Sequence, residues 1–405
     1  MRWIALSFIL LAFAGCLSDS DPDPTPGVDE TPDGTEFQGR VVVAVIDSGV
    51  NVYHDFYQTG LSLTDEELAQ LSNDGTPARR IQLTQTGAYP ERVQADAEIW
   101  AGIQPGELVY FDGTNVLGIS HNPDAHPVLD DGSHGTGTTT SVLNANPDAL
   151  IVLVEGVGSS AGEQWAATTP WVDILSESYG LYCGQPVLEL VPGDSTAKNN
   201  KIANSNGKLV VGAADNTPCP ANNDGTAGPP WVVGVAGDHP GTESDCREPI
   251  SGNFPDFTAD FTQTLSSAGT INENRTMSGT SFATPTTAGV FSAVLQNVRT
   301  AWGHEGGITD GAMAIGPEGE RFTQADLRDA VNRTARYFEF SLNCEEPVPP
   351  VAPWVSQGWG HVGPEIIPEA TAQALGLESF QKDAQATQYM ELQYTYRQTA
   401  WGLVI

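Results

Sequence analysis

The chain has 405 residues, 40% of them hydrophobic, which is enough to bury one sizeable core. Its 51 acidic and 17 basic residues give a net charge of −34, yet charged residues total only 17%, below the usual share, so the imbalance reflects scarce lysine more than an unusually charged surface. Such a surface repels nucleic acid and anionic lipid, and suits saline surroundings or simple solubility.

Arg2 followed by the apolar run Trp3 to Cys16 is too short to span a bilayer and reads as an export signal over residues 1–15. Ala14-Gly15-Cys16 resembles a prokaryotic lipobox, with Phe13 in place of the usual aliphatic residue. That implies lipid attachment at Cys16, and at least two acyl chains, since one binds only marginally. The alternative is ordinary signal cleavage and a soluble secreted protein. Residues 16–38, rich in Asp, Pro, Thr and Gly, read as a solvated acidic linker. Of five cysteines, setting Cys16 aside leaves Cys183, Cys219, Cys246 and Cys344, which could form two disulfides in an oxidising exterior; three pairings stay open.

Val41 to Ile46 is a continuous β-branched run that reads as a strand buried on both faces. It delivers Asp47 at its carboxyl end, where the ligand crevices of open α/β sheets lie. Thr64 to Ser72 reads as a helix, and His121 and His126 as loop histidines. His134-Gly135-Thr136 follows on a glycine-rich stretch. Leu150 to Val154 is an apolar run ahead of Gly158-Ser159-Ser160-Ala161-Gly162, which matches the nucleophile elbow of an esterase with Ser160 as nucleophile. Against that reading, Glu163 to Pro170 is short, ends in Thr168-Thr169-Pro170 and makes a poor supporting helix.

Lys208 to Asn216 reads as a further buried strand ending in an amide. Gly279-Thr280-Ser281-Phe282-Ala283-Thr284-Pro285 leads into an uncharged segment, Ala283 to Val294, which reads as a helix buried all round. Pro285 is expected in its first turn, where a missing N–H costs nothing. Ser281 would then sit at a helix N-terminus, whose free N–H groups favour developing negative charge. Gln324 to Ala335 and Pro368 to Leu375 read as helices, with a Pro-rich stop at residues 347–353 between them. The tail Met390 to Tyr396 alternates like a strand that docks on the domain or contacts another protein.

A serine hydroxyl is a weak nucleophile until an imidazole takes its proton, and the imidazole needs a buried carboxylate to hold its tautomer. Asp47, His134 and Ser281 supply these groups in the order acid, base, nucleophile, and the three segments together resemble the subtilisin-like serine proteases. The resemblance implies an α/β fold of three layers, with a mostly parallel central sheet and helices on both faces. It makes Ser281 the nucleophile, His134 the general base, Asp47 its orienter and Asn216 an oxyanion donor. Val172 to Gly180 looks like the strand that pairs with substrate backbone, so Ser178, Tyr179 and Gly180, with Gly212 and Ala213, would line the pocket for the residue before the cut. The peptidase domain would cover residues 39–377, followed by a C-terminal extension at 378–405 that packs on it.

The match departs from the family in several places. Asp47 and His134 are 87 residues apart, longer than usual, so an insertion is expected at about 53–126. Gly137 stands where a second histidine is common, and a helix between Glu163 and Asp173 looks cut short, which would open the cleft. Fewer than 25 residues separate the expected signal cleavage point from the domain, too few for a folded pro-segment. The expected partner is a peptide or protein substrate, the expected state a monomer, with no nucleic acid bound and no membrane contact beyond the lipid anchor. The chemistry needs no cofactor; a structural calcium ion agrees with the resemblance, although no short loop has a calcium-binding spacing. Two other functions stay open: a catalytically silent peptide-binding scaffold on the same fold, and the Ser160 esterase.

Overall fold

The computed structural model describes residues 39–122, 130, 132–180, 195–216, 226–240, 246–249, 255–337, 339–340 and 357–402. Cys16, the linker, His126 and Cys183, Cys219 and Cys344 lie outside them, so the lipid-attachment and disulfide expectations are not addressed.

The strands of the main sheet are β1 (Val42–Asp47), β2 (Arg79–Ile81), β3 (Val109–Phe111), β4 (Val116–Ser120), β5 (Leu150–Glu155), β6 (Ile174–Glu177), β7 (Leu209–Ala213), β8 (Val233–Pro240), β9 (Cys246–Pro249) and β10 (Phe257–Asp260). A hairpin of β11 (Thr262–Ser266) and β12 (Asn274–Ser278) stands apart, and β13 (Glu339–Phe340) closes one edge. The helices are α1 (Asp65–Gln70), α2 (Tyr89–Ala95), α3 (Ala97–Ala101), α4 (His134–Ala145), α5 (Ser160–Thr168), α6 (Ser195–Ser205), α7 (Thr280–Trp302), α8 (Gln324–Thr334), α9 (Ile367–Ala374) and α10 (Ala384–Gly402).

The sheet has 11 strands in the order β13-β9-β8-β7-β6-β1-β5-β4-β3-β2, with β10 also paired to β8. It is parallel except where β9 meets β8 and β3 meets β4. β1 lies between β5 and β6, its parallel neighbours on either side. The strand order reverses there, and such a switch point opens a crevice at the carboxyl ends of the strands.

Alternate residues of β1 feed two cores. Val43 and Val45 pack with Val142 of α4 and Val290 and Val294 of α7, whereas Val42, Ala44 and Ile46 pack with Trp165 of α5 and Ala203 of α6. This is the three-layer α/β subtilisin-like architecture. The amino end of β1 is pinned to the last turns of α7: Val41 N donates to Gln296 Oε1 (3.0 Å) and Arg299 Nη1 to the carbonyl of Arg40 (3.0 Å). Arg299 and Asp173, both fully buried, pair through two hydrogen bonds of 2.8 and 2.7 Å.

The residues expected to hold an insertion form α1 to α3, β2 to β4 and short pairings that extend the sheet beyond β5. α1 falls inside the expected Thr64 to Ser72 stretch, because Thr64 caps it and Glu67 returns the bond to the Thr64 backbone.

Three expectations are corrected. The stretch after Ser159 is a helix, α5, because Ser159 accepts from the Gly162 N–H and Trp165 is buried in the core, and tertiary packing overrides its weak local propensity. α7 begins at Thr280, not Ala283, so Pro285 is its sixth residue and its missing N–H leaves the Ser281 carbonyl without the usual helical donor. The tail is the helix α10, not a strand. Ala386, Met390, Gln393, Arg397 and Trp401 recur every three or four residues and are all at least nine-tenths buried, while Leu392 and Tyr396 face outward. No helix among the described residues is long and apolar enough to cross a membrane.

Candidate active site

Asp47 ends β1 at the switch point and is 1% exposed. Its carboxylate is held by donors on several sides. Oδ1 accepts from Ser48 N (2.7 Å) and His134 Nδ1 (2.8 Å), and Oδ2 from Thr138 Oγ1 (2.9 Å). So enclosed, the carboxylate has one orientation, and the imidazole on it has one tautomer: Nδ1 carries the proton towards Asp47, leaving Nε2 as a base.

His134 is the first residue of α4, entered through Ser133 in the left-handed region at φ 63°. Gly135 makes this entry fit, since a Cβ there would stand 2.0 Å from the Gly49 carbonyl. Asp130 organises the turn: Oδ2 accepts from Thr136 N (2.8 Å) and Oδ1 from Ser48 Oγ (3.1 Å) and Gly132 N (3.3 Å). The imidazole lies 5.5 Å, centroid to centroid, from the Phe282 ring. Burial pushes its pKa down, but the hydrogen bond to Asp47 and the charges of Asp47 and Asp130 outweigh this and hold it above the usual histidine value.

Ser281 is the second residue of α7, which packs on α4 through the close contact of Gly289 with the Val142 carbonyl. Its hydroxyl donates to the Ser178 carbonyl (3.1 Å). No hydrogen bond joins Ser281 to His134, so the structure brings Asp47 and His134 together and sets Ser281 beside them through Phe282. Such a contact is often long without substrate and tightens when one binds.

Asn216 follows β7 and Asp215, whose φ is 72°. Its Oδ1 accepts from Thr280 N (2.8 Å) and Thr280 Oγ1 (3.1 Å). The amide oxygen is thereby committed to the turn that carries the serine, and Nδ2 is left as a donor. The N–H of Ser281, in the first turn of α7, has no helical acceptor.

The expected pocket residues sit at the ends of β6 and β7 and contribute mainly backbone. Tyr179 is turned into the core, where its hydroxyl donates to Glu163 Oε1 (2.8 Å); burial first, then the charges of Glu177 and Glu163, push its pKa up. Gly212 faces the Thr226 carbonyl, which a Cβ would approach to 2.3 Å, and the Ala213 carbonyl accepts from Thr226 Oγ1 (3.3 Å). Ser178 is 3% exposed and Gly180 lies open to solvent.

Ser160 is exposed at the start of α5, and no histidine among the described residues hydrogen-bonds it. His121 packs against Trp165 instead. Sequence reasoning missed Ser48, Thr138 and Asp130; the spacing of Thr138, one helical turn beyond His134, was the available signal.

One group among the described residues brings metal-ligating side chains within 4.8 Å of one another: Asp238, Asp260 and His361. His361 Nδ1 is 2.8 Å from Asp238 Oδ2.

A family model described as the subtilase family, Peptidase S8, matches residues 38–360. No curated protein matches the sequence. Among solved structures, the fold is similar to a lanthipeptide protease, at TM-score 0.50 and 16% identity over 84% of this chain and 89% of that one. It is also similar to the prenylagaramide maturation protease PagA, at TM-score 0.48 and 13% identity over 84% and 94%, and to a protease from Pseudoalteromonas arctica, at TM-score 0.45 and 18% identity over 84% and 93%.

Proposed function

Because the chain belongs to the subtilase family of serine peptidases, we propose that it is an exported endopeptidase that cleaves peptide bonds through an acyl-enzyme on Ser281. The observation that carries this reading is the Asp47–His134 pair, 2.8 Å across, whose imidazole lies 5.5 Å from the ring of Phe282, the residue after Ser281 at the start of α7.

In the proposed cycle the Ser281 hydroxyl turns from the Ser178 carbonyl to Nε2 of His134 as a substrate binds. His134 takes its proton while Oγ attacks the scissile carbonyl, and the imidazolium is stabilised by Asp47. The developing oxyanion is held by Asn216 Nδ2 and the Ser281 N–H. His134 then protonates the leaving amine, and a water repeats the sequence to release the acyl group. No cofactor takes part. Lipidation at Cys16 would hold the enzyme outside the cytoplasmic membrane; without it, the same enzyme would be secreted.

Fluorophosphonate labelling with peptide mapping tests the assignment. Modification at Ser281 that disappears in His134→Ala is the expected result. Modification at Ser160 means an esterase, and no labelling of the folded protein means a silent scaffold. In the same cells, labelled protein should partition with membranes and lose that partition in Cys16→Ser; equal partition of the two removes the anchor.

A further inference from the structure

α10 lies beyond the residues matched by the family model and carries a buried cation. Arg397 is 2% exposed, and its guanidinium reaches acceptors on one turn and one carboxylate. Nε donates to the Gly228 carbonyl (2.9 Å) and Nη1 to Asp256 Oδ2 (3.1 Å). Nη2 donates to the carbonyls of Ala227 (2.9 Å), Pro229 (2.7 Å) and Val232 (3.1 Å).

The turn at residues 226–232 therefore aims several carbonyls at one point. Converging carbonyl dipoles repel one another unless a cation stands among them. Pro229 and Pro230 lack N–H groups, and Val232 N closes the turn on the Pro229 carbonyl (3.1 Å), so most of these carbonyls look to the guanidinium. A planar guanidinium meets this demand, and a lysine ammonium with three donors does not reproduce it. Trp401, 1% exposed, adds an edge-on contact with Trp231 at 6.3 Å.

The other side of the same turn touches the candidate active site. Thr226 is fully buried, and its Oγ1 donates to the carbonyl of Tyr179 (2.7 Å) as well as to that of Ala213. Tyr179 follows Ser178, whose carbonyl receives the Ser281 hydroxyl, and Ala213 lies on β7 just ahead of Asn216. The turn thus spaces the ends of β6 and β7, and Arg397 holds the turn.

We propose that Arg397 is a positioning residue for peptide cleavage, through which α10 sets the separation of the two strand ends that flank the nucleophile. The inference rests on the protease reading above. A displacement of about 1 Å at a reacting geometry can cost on the order of a hundredfold in rate. Loosening this turn should therefore show in catalysis before it shows in gross unfolding.

The test compares Arg397→Ala, Arg397→Lys, Thr226→Val and the control Met390→Ala in the full-length chain. Met390 is buried on the same helix, 4% exposed, and makes no contact with the turn through hydrogen bonds. Each variant is assayed for peptide hydrolysis below its own melting temperature, with and without added guanidinium at non-denaturing concentration. The expected result is a fall in kcat/KM of about tenfold to a hundredfold in Arg397→Ala, shared between KM and kcat, and partly restored by guanidinium. Arg397→Lys and Thr226→Val should lose activity in the same sense, and Met390→Ala should lose melting temperature alone. Folded Arg397→Lys and Thr226→Val with wild-type kcat/KM would overturn the proposal, as would losses no larger than that of Met390→Ala. A wild-type chain that neither cleaves peptides nor labels at Ser281 would instead defeat the protease reading.

Discussion

Among the described residues, two histidines bond an aspartate through Nδ1, and the two Nδ1 to carboxylate distances are the same, 2.8 Å. His134 on Asp47 keeps 39% of its side chain exposed, while His361 on Asp238 keeps 4%. The first stands where two helix N-termini meet at the switch point of the sheet, next to a serine and a positioned amide. The second is wedged where the loop before α9 crosses the ends of β8 and β10, its backbone bridged to Thr258 and Arg336. An oriented imidazole is therefore not in itself a reaction centre. What separates the pairs is the outlook of the other ring nitrogen and what stands in front of it.

The largest effect that tests this contrast is the loss of either histidine. His134→Ala should reduce kcat/KM by at least about ten-thousandfold with little change in melting temperature. His361→Gln should cost about 1–3 kcal/mol in denaturant unfolding while the folded fraction cleaves peptides at the wild-type rate. A reversed pattern would exchange the roles of the two pairs. The next effect concerns what stands before the first pair: Asn216→Ala should lower turnover by about a hundredfold to a thousandfold and leave substrate binding nearly intact. An unchanged turnover number removes Asn216 from the oxyanion site.

The smallest effect is on pH dependence. In the proposed cycle neutral His134 is the base, so activity should rise with pH through its folded pKa, which Asp47 and Asp130 hold above the usual value. Asp130→Asn removes one of those charges and should move the acid limb of kcat/KM downward, by less than about one pH unit. An upward shift would contradict the assigned cause. Stability runs the other way: the raised pKa stabilises the fold below the unfolded value, and this contribution is lost as pH rises through the folded value. The enzyme is expected to gain its base as it loses that stabilisation.

The central sheet, α7 and α1 were legible because Val41 to Ile46 is unbroken apolar, Ala283 to Val294 carries no charge, and Thr64 and Glu67 mark a helix start by side-chain chemistry alone. α10 was not. Met390, Leu392, Tyr394 and Tyr396 alternate in polarity, but burial selects Met390, Gln393, Arg397 and Trp401, a face whose polar members a hydrophobic pattern cannot mark. α5 was missed because Trp165 supports it from the core. Asp130 bonds Gly132 N and Thr136 N on either side of Ser133, whose left-handed conformation no residue preference announces.

The pinning of the amino end of β1 to the far turns of α7 has a practical consequence. Arg299, which holds the Arg40 carbonyl, is separated from Ser281 by 18 residues of one continuous helix, or about 27 Å at a rise of 1.5 Å each. The amino end of β1 and the Ser281 hydroxyl are thus tied to opposite ends of one continuous helix, so α7 acts as a spacer of fixed length between them.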